Sequence, residues 1–230
     1  MRTLLCVAFA AIVSLSAVPA NANALNSWRI SCSVDRGAIS HTRDVWSFRT
    51  SANNCPGGVF HQRAEISTDS VSPSTKGAYL FSAHVAMNSR SNEKYDIFQI
   101  HDGRLGCSPP LKVNVLPNGQ LKLVSDIKTG PGESCIRGQL SNQTTQGRIR
   151  RDGTEQKLEV LVEFDGNGGF KATIWLDGAM QVSGRYDPAK QPGAYRSKKF
   201  FFKHGVYSQH MFDYVMTSRG MSVRKVKVRN

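Results

Sequence analysis

The stretch LEVLVEFDGNGGFKATIWLDG, residues 158–178, reads as a β-hairpin. Apolar and polar residues alternate on both sides of a Gly- and Asn-rich turn, and a period of two marks a half-buried strand. The DGNGG segment at 165–169 supplies residues that tolerate a tight reversal. The same pattern continues outward in both directions. DVWSFRT (44–50), VFHQRAEIS (59–67), GAYLFSAHVAM (77–87), YDIFQIH (95–101), LKVNVL (111–116) and QLKLVSD (120–126) precede the hairpin, whose first strand begins within QKLEVLVEFD (156–165). MQVSGRY (180–186), KKFFFKHGVYSQ (198–209) and SVRKVKVRN (222–230) follow it. Helical periodicity is almost absent. So many short strands in one chain predict an all-β fold, a jelly-roll sandwich of two antiparallel sheets with a concave groove on one of them. Residues 128–151, rich in Gly, Ser, Asn, Gln and Thr, are expected to form long loops.

The first residues fall outside this pattern. A positive start (Met1-Arg2), an apolar run and the small residues of PANANA have the form of a secretory signal peptide spanning residues 1–24, with cleavage after Ala22 or Ala24. The remainder, 25–230, is expected to be a single exported domain, secreted or periplasmic, without stable membrane insertion and monomeric. Of five cysteines, Cys6 leaves with the leader. Cys32, Cys55, Cys107 and Cys135 remain, an even number in an oxidising compartment, which predicts two disulfides. Sequence does not fix the pairing; chain proximity favours Cys32 with Cys55 and Cys107 with Cys135. The wide spacings do not suit a zinc site.

Thirty Lys and Arg against seventeen Asp and Glu give a formal net charge of +13. A basic exported protein expects an acidic partner. The basic residues are dispersed rather than grouped in a nucleic-acid-binding motif, so nucleic acid is not the expected ligand.

Three strands carry functional groups on one face. Residues i and i+2 share a face of a strand. In FHQRAEIS, His61, Arg63 and Glu65 lie together; in IFQIH, Gln99 and His101 do; in FFKHGVYSQ, Lys203, Gly205, Tyr207 and Gln209 oppose Phe202, His204, Val206 and Ser208. If these strands are neighbours, their polar sides merge into one surface, with Gly205 keeping it open between Lys203 and Tyr207. His84 reads as a structural residue on a sheet face, and His41, His204 and His210 give no signal.

QRAEIS, FQIH and FFKHGVYSQ, in that order, resemble the three motif strands of alginate lyases. The K-x-G-x-Y part is also similar to heparin lyase I and glucuronan lyases, which share the β-jelly roll, and IWLDG resembles a segment common in concanavalin A-like jelly rolls. The chain departs from the alginate-lyase pattern at Ile66-Ser67, Phe201 and Ser208. The resemblance implies a polysaccharide lyase acting by β-elimination on an anionic, uronic-acid-containing polymer such as alginate, glucuronan, a heparin-like chain or an acidic exopolysaccharide. It implies that Arg63 and Gln99 neutralise the sugar carboxylate, through a forked guanidinium and an amide donor. His101 and Tyr207 then handle protons as base and acid, the assignment of the base being open between them. Lys203 would favour the Tyr207 phenolate, and His61, Glu65 and Gln209 would contact substrate. This chemistry requires no cofactor; a structural calcium, held by some related lyases, is compatible with the Asp and Asn in loops.

Two other readings compete. A lectin-like binding module would use the same groove without needing a proton donor and acceptor. A jelly-roll glycoside hydrolase would need paired carboxylates on one face, for which Glu159, Glu163 and Asp165 are the candidates.

Overall fold

A computed structural model of the chain describes residues 23–32, 34–52 and 62–228. It contains two antiparallel seven-stranded sheets, the expected jelly roll. With strands numbered along the chain, one sheet runs β1 (Arg29–Ile30), β4 (Gln62–Ser67), β13 (Phe201–Ser208), β6 (Tyr95–His101), β7 (Leu111–Val115), β8 (Gln120–Lys128) and β9 (Cys135–Arg148). The other runs β12 (Ala179–Tyr186), β11 (Phe170–Leu176), β10 (Asp152–Asp165), β5 (Lys76–Asn88), β14 (Val215–Val226), β3 (Val45–Arg49) and β2 (Ile39–Thr42). The hairpin read first is β10–β11, in register from Leu158↔Leu176 to Phe164↔Phe170. Among the described residues no helix is long and apolar enough to cross a membrane.

The strand alternation places the core between the sheets. Leu158, Val160, Val162 and Phe164 of β10 are all buried, as are Phe202, His204 and Val206 of β13. Phe81 of one sheet lies 4.8 Å from Phe98 of the other, and Phe98 lies 5.2 Å from Phe202. Each such ring removed from water contributes about 1.5–3 kcal/mol. The sheet carrying the three motif strands is thereby fixed against its partner by the residues that alternate with the polar ones.

Three expectations change. Residues 135–148, expected as loop, form β9, a sheet edge paired with β8 from Gln120↔Arg148 to Lys128↔Cys135 with two register shifts. Its polar side chains suit a strand exposed along most of its length, because backbone pairing needs no apolar side chain. β14 begins at Val215 rather than at 222. The short strands β1 and β2 carry too few alternating residues to be read from sequence. Cys107 and Cys135 are bonded as expected, tying the loop after β6 to the start of β9. Cys32 is also disulfide-bonded; its expected partner Cys55 lies outside the described residues, as do positions 1–22 of the expected signal peptide.

His204, silent in the sequence, is fully buried and joins the two sheets. Its Nδ1–H donates to the Ile97 carbonyl at 2.9 Å, which leaves Nε2 to accept from the Ser218 hydroxyl of β14 at 2.7 Å. Burial pushes its pKa down from 6.5 to about 4, opposed by the Ile97 bond. A folded-state pKa below the unfolded one stabilises the fold fully above pH 6.5 and progressively less as the pH falls through 4. At about 1.4 kcal/mol per pH unit the loss approaches ~3 kcal/mol. Denaturant unfolding of wild type and His204→Gln at pH 7 and pH 4 should show the stability gap between them narrowing by roughly that amount. A gap independent of pH would contradict the burial of a neutral imidazole.

Candidate active site

The three motif strands are neighbours, in the order β4–β13–β6. Cross-strand register sets Tyr207 opposite Arg63 and Gly205 opposite Glu65 on one side. On the other side Lys203 faces Gln99, Phe201 faces His101 and Tyr207 faces Asp96. The polar sides therefore merge into one surface. Three cavities lined by described residues, of about 810, 530 and 350 Å³, have none of these residues in their walls.

Gly205 makes the close approach of β13 and β4 feasible. Its φ is +140°, and a Cβ there would stand 2.2 Å from the Ala64 carbonyl oxygen. The expectation that Gly205 merely keeps the surface open is thus replaced by a backbone requirement: no other residue fits. Beside it the register of β13 against β6 shifts between His204 and Tyr207, a β-bulge that re-aims side chains.

Glu65 lies beneath the surface, 2 % exposed. The expectation that it contacts substrate gives way to an internal role, because the carboxylate is taken up by neighbouring donors. Its carboxylate accepts from Arg63 Nε at 3.0 Å and from the Gln99 amide nitrogen, and Lys203 Nζ stands 3.7 Å away. Arg63 keeps its Nη donors free of bonds to described residues, and its guanidinium carbon lies 5.0 Å from the centre of the Tyr207 ring. Gln99 turns its carbonyl oxygen to His101 Nε2 at 3.0 Å. His101 is half-buried and stacks on Phe201 with ring centres 5.0 Å apart.

Environment sets the protonation states. Burial, reinforced by the charges of Lys203, Arg63 and Lys112, holds the His101 pKa well below 6.5, so the imidazole is neutral near pH 7. Burial raises the Tyr207 pKa, helped by Glu65 and Asp96 and opposed by Arg63. Lys203 is spent on Glu65 rather than on Tyr207 and is itself shifted down by burial. The expectation that Lys203 favours a Tyr207 phenolate is therefore reversed, and Tyr207 is a protonated phenol.

Asp96, Asn114 and Lys112, which the sequence reading did not single out, complete the face. Asp96 is buried and accepts from the Asn114 amide, and burial raises its pKa to about 7. Lys112 pairs in register with Gln99 from the next strand. A signal existed: Ile97 and Phe98 are adjacent and both buried, which breaks the alternation and marks the bulge that brings Asp96 to the face of Gln99. Among the remaining expected residues, Gln209 is exposed just beyond the end of β13, and His61 lies outside the described residues. The hydrolase candidates sit in the other sheet. Glu159 pairs with Lys157 and Glu163 with Lys171, and Asp165 accepts turn N–H groups from Asn167 and Gly169.

No protein-family model matches the sequence, and no curated protein does. Solved structures do match. A doubly substituted family 7 alginate lyase A1-II′ in complex with substrate (GGMG) aligns with a TM-score of 0.60 at 14% identity, covering 94% of this chain and 100% of that one. Alginate lyase AlgAT5 of polysaccharide lyase family 7 aligns with 0.56 at 13% identity over 88% and 96%. Alginate lyase PA1167 from Pseudomonas aeruginosa aligns with 0.56 at 15% identity over 83% and 86%. At such identities the likeness establishes the fold.

The electrostatic setting of His101 is directly measurable. An NMR titration of its ring should show a pKa well below 6.5, and Lys203→Met, by removing one of the repelling cations, should raise it. A wild-type value at or above 6.5 would contradict the neutral assignment.

Proposed function

We propose that the protein is an exported polysaccharide lyase that cleaves a uronic-acid polymer by β-elimination. The observation that carries this reading is the pairing of a neutral imidazole and a protonated phenol with an excess of cations on one sheet face. Arg63 and Lys203 flank the buried carboxylate of Glu65, Lys112 acts on the buried Asp96 beside it, and His101 and Tyr207 hold complementary protonation states. The fold shared with alginate lyases supports it.

The reaction needs that combination. The proton beside a uronate carboxylate is hardly acidic while the carboxylate is charged, so the developing negative charge must be met by fixed donors. The Arg63 Nη donors and the remaining Gln99 N–H supply them. His101, neutral, takes the proton; the electron pair forms the new carbon–carbon double bond as the glycosidic carbon–oxygen bond breaks; Tyr207 gives its proton to the leaving oxygen. His101 as base and Tyr207 as acid follow from their opposite pKa shifts, since each group must begin in the form it uses. With carboxylate neutralisation drawn from Arg63 and Gln99, the step calls for no cofactor. A non-catalytic glycan-binding module would have no use for the two proton carriers.

Incubation with alginate, glucuronan, heparin and other acidic polysaccharides should generate ultraviolet absorbance from a conjugated unsaturated uronate. Reducing ends without that absorbance would mean hydrolysis, and binding without new ends would mean a binding module. Tyr207→Phe should lower turnover by ~10²- to 10⁴-fold with substrate affinity little changed. Near-wild-type turnover in that variant would overturn the assignment of the acid.

A further inference from the structure

Neutral histidine offers two nitrogens, and only the one without a proton can act as base. The interior of the site determines which. Glu65, almost wholly buried, accepts the amide N–H of Gln99, itself 1 % exposed. Turning the Gln99 amide over would press its carbonyl oxygen against the carboxylate, two acceptors facing each other. The amide is therefore locked with its oxygen towards His101 Nε2, 3.0 Å away. A carbonyl oxygen only accepts, so the hydrogen of that contact resides on Nε2, and the lone pair of the neutral ring resides on Nδ1. Stacking on Phe201 restrains the plane of the ring.

We propose that Glu65 is a positioning residue which, through Gln99, fixes His101 as the Nε2–H tautomer and makes Nδ1 the base. This rests on the lyase reading for the meaning of "base", whereas the tautomer is a property of the protein without substrate. The same carboxylate engages Arg63 through Nε, so one buried group aligns the carboxylate-binding fork and the proton acceptor together. The device is an amide inserted between carboxylate and imidazole. A carboxylate bonded directly to Nε2 would stabilise the imidazolium and raise its pKa. The amide passes on the orientation and withholds the charge.

Nitrogen-15 shifts of the His101 ring distinguish the two tautomers without any activity measurement. The wild type should show a single Nε2–H form at pH 7. In Glu65→Gln the lock is gone, Gln99 can present either end of its amide, and a mixture containing the Nδ1–H form should appear. Turnover should fall about twofold or more, in proportion to the share of His101 lost from the Nε2–H form, since only the unprotonated nitrogen can act as base, with the fall in kcat exceeding any rise in KM. Should Glu65→Gln not fold, Gln99→Leu, which removes the acceptor and keeps the carboxylate, must show the same loss of tautomer preference. An Nδ1–H tautomer in the wild type, or an unchanged single tautomer in the variants, would overturn the proposal. A tautomer that behaves as described in a protein that cleaves no polyuronate would leave the proposal standing and sink the lyase reading instead.

Discussion

A carboxylate taken out of water must be met by charge and hydrogen bonds, and Glu65 is the group on which the site depends. An unpaired buried carboxylate would cost several kcal/mol or be forced to protonate. Here it sits between Arg63 and Lys203 and accepts from Gln99. Arg63 and Gln99 are also the groups proposed to meet the substrate carboxylate, so the requirement to satisfy one buried charge also holds those groups in place. Lys112, on the next strand, acts on the second buried carboxylate of the face, Asp96. Burial, reinforced by these cations, keeps His101 neutral, and cations gathered on one face favour an anionic sugar.

The same strands serve the core and the site. On β13, Phe202, His204 and Val206 are buried between the sheets while Lys203, Gly205 and Tyr207 face β4 and β6 on the other side. Groups on rigid, close-packed strands are held more exactingly than groups on loops. Gly205 links the two roles, since its missing side chain lets β13 close on β4 opposite Glu65, and the bulge beside it brings Tyr207 level with Asp96. A substitution there would act first on the backbone and through it on every group in the row.

The jelly roll, and the shared strand faces of the four proposed reacting residues, were legible because both depend on a period of two, while their roles came from the resemblance to alginate lyases. Alternation in FFKHGVYSQ assigns Lys203 and Tyr207 to one face without knowledge of any neighbour. What escaped the sequence depends on breaks in that period or on partners distant in the chain. Asp96 escaped because a bulge, signalled only by the adjacent Ile97 and Phe98, moves it to the other face. β9 escaped because a polar edge strand has the composition of a loop. Lys203 was tied to Tyr207 by their shared strand face, whereas the cation at the Tyr207 ring is the cross-strand residue Arg63. Glu65 was placed on the correct face, but its depth below the surface follows only from the packing of three strands.

The central claim is that this face recognises a carboxylate on a sugar polymer. The most direct measurement is calorimetric binding of a uronate oligosaccharide to Tyr207→Phe, where slowed turnover preserves the ligand, alongside the same oligosaccharide with its carboxylates reduced to alcohols. The account predicts binding of the acidic form that weakens with added salt, and a large loss of affinity for the reduced form. Equal affinity for the two, independent of salt, would contradict it.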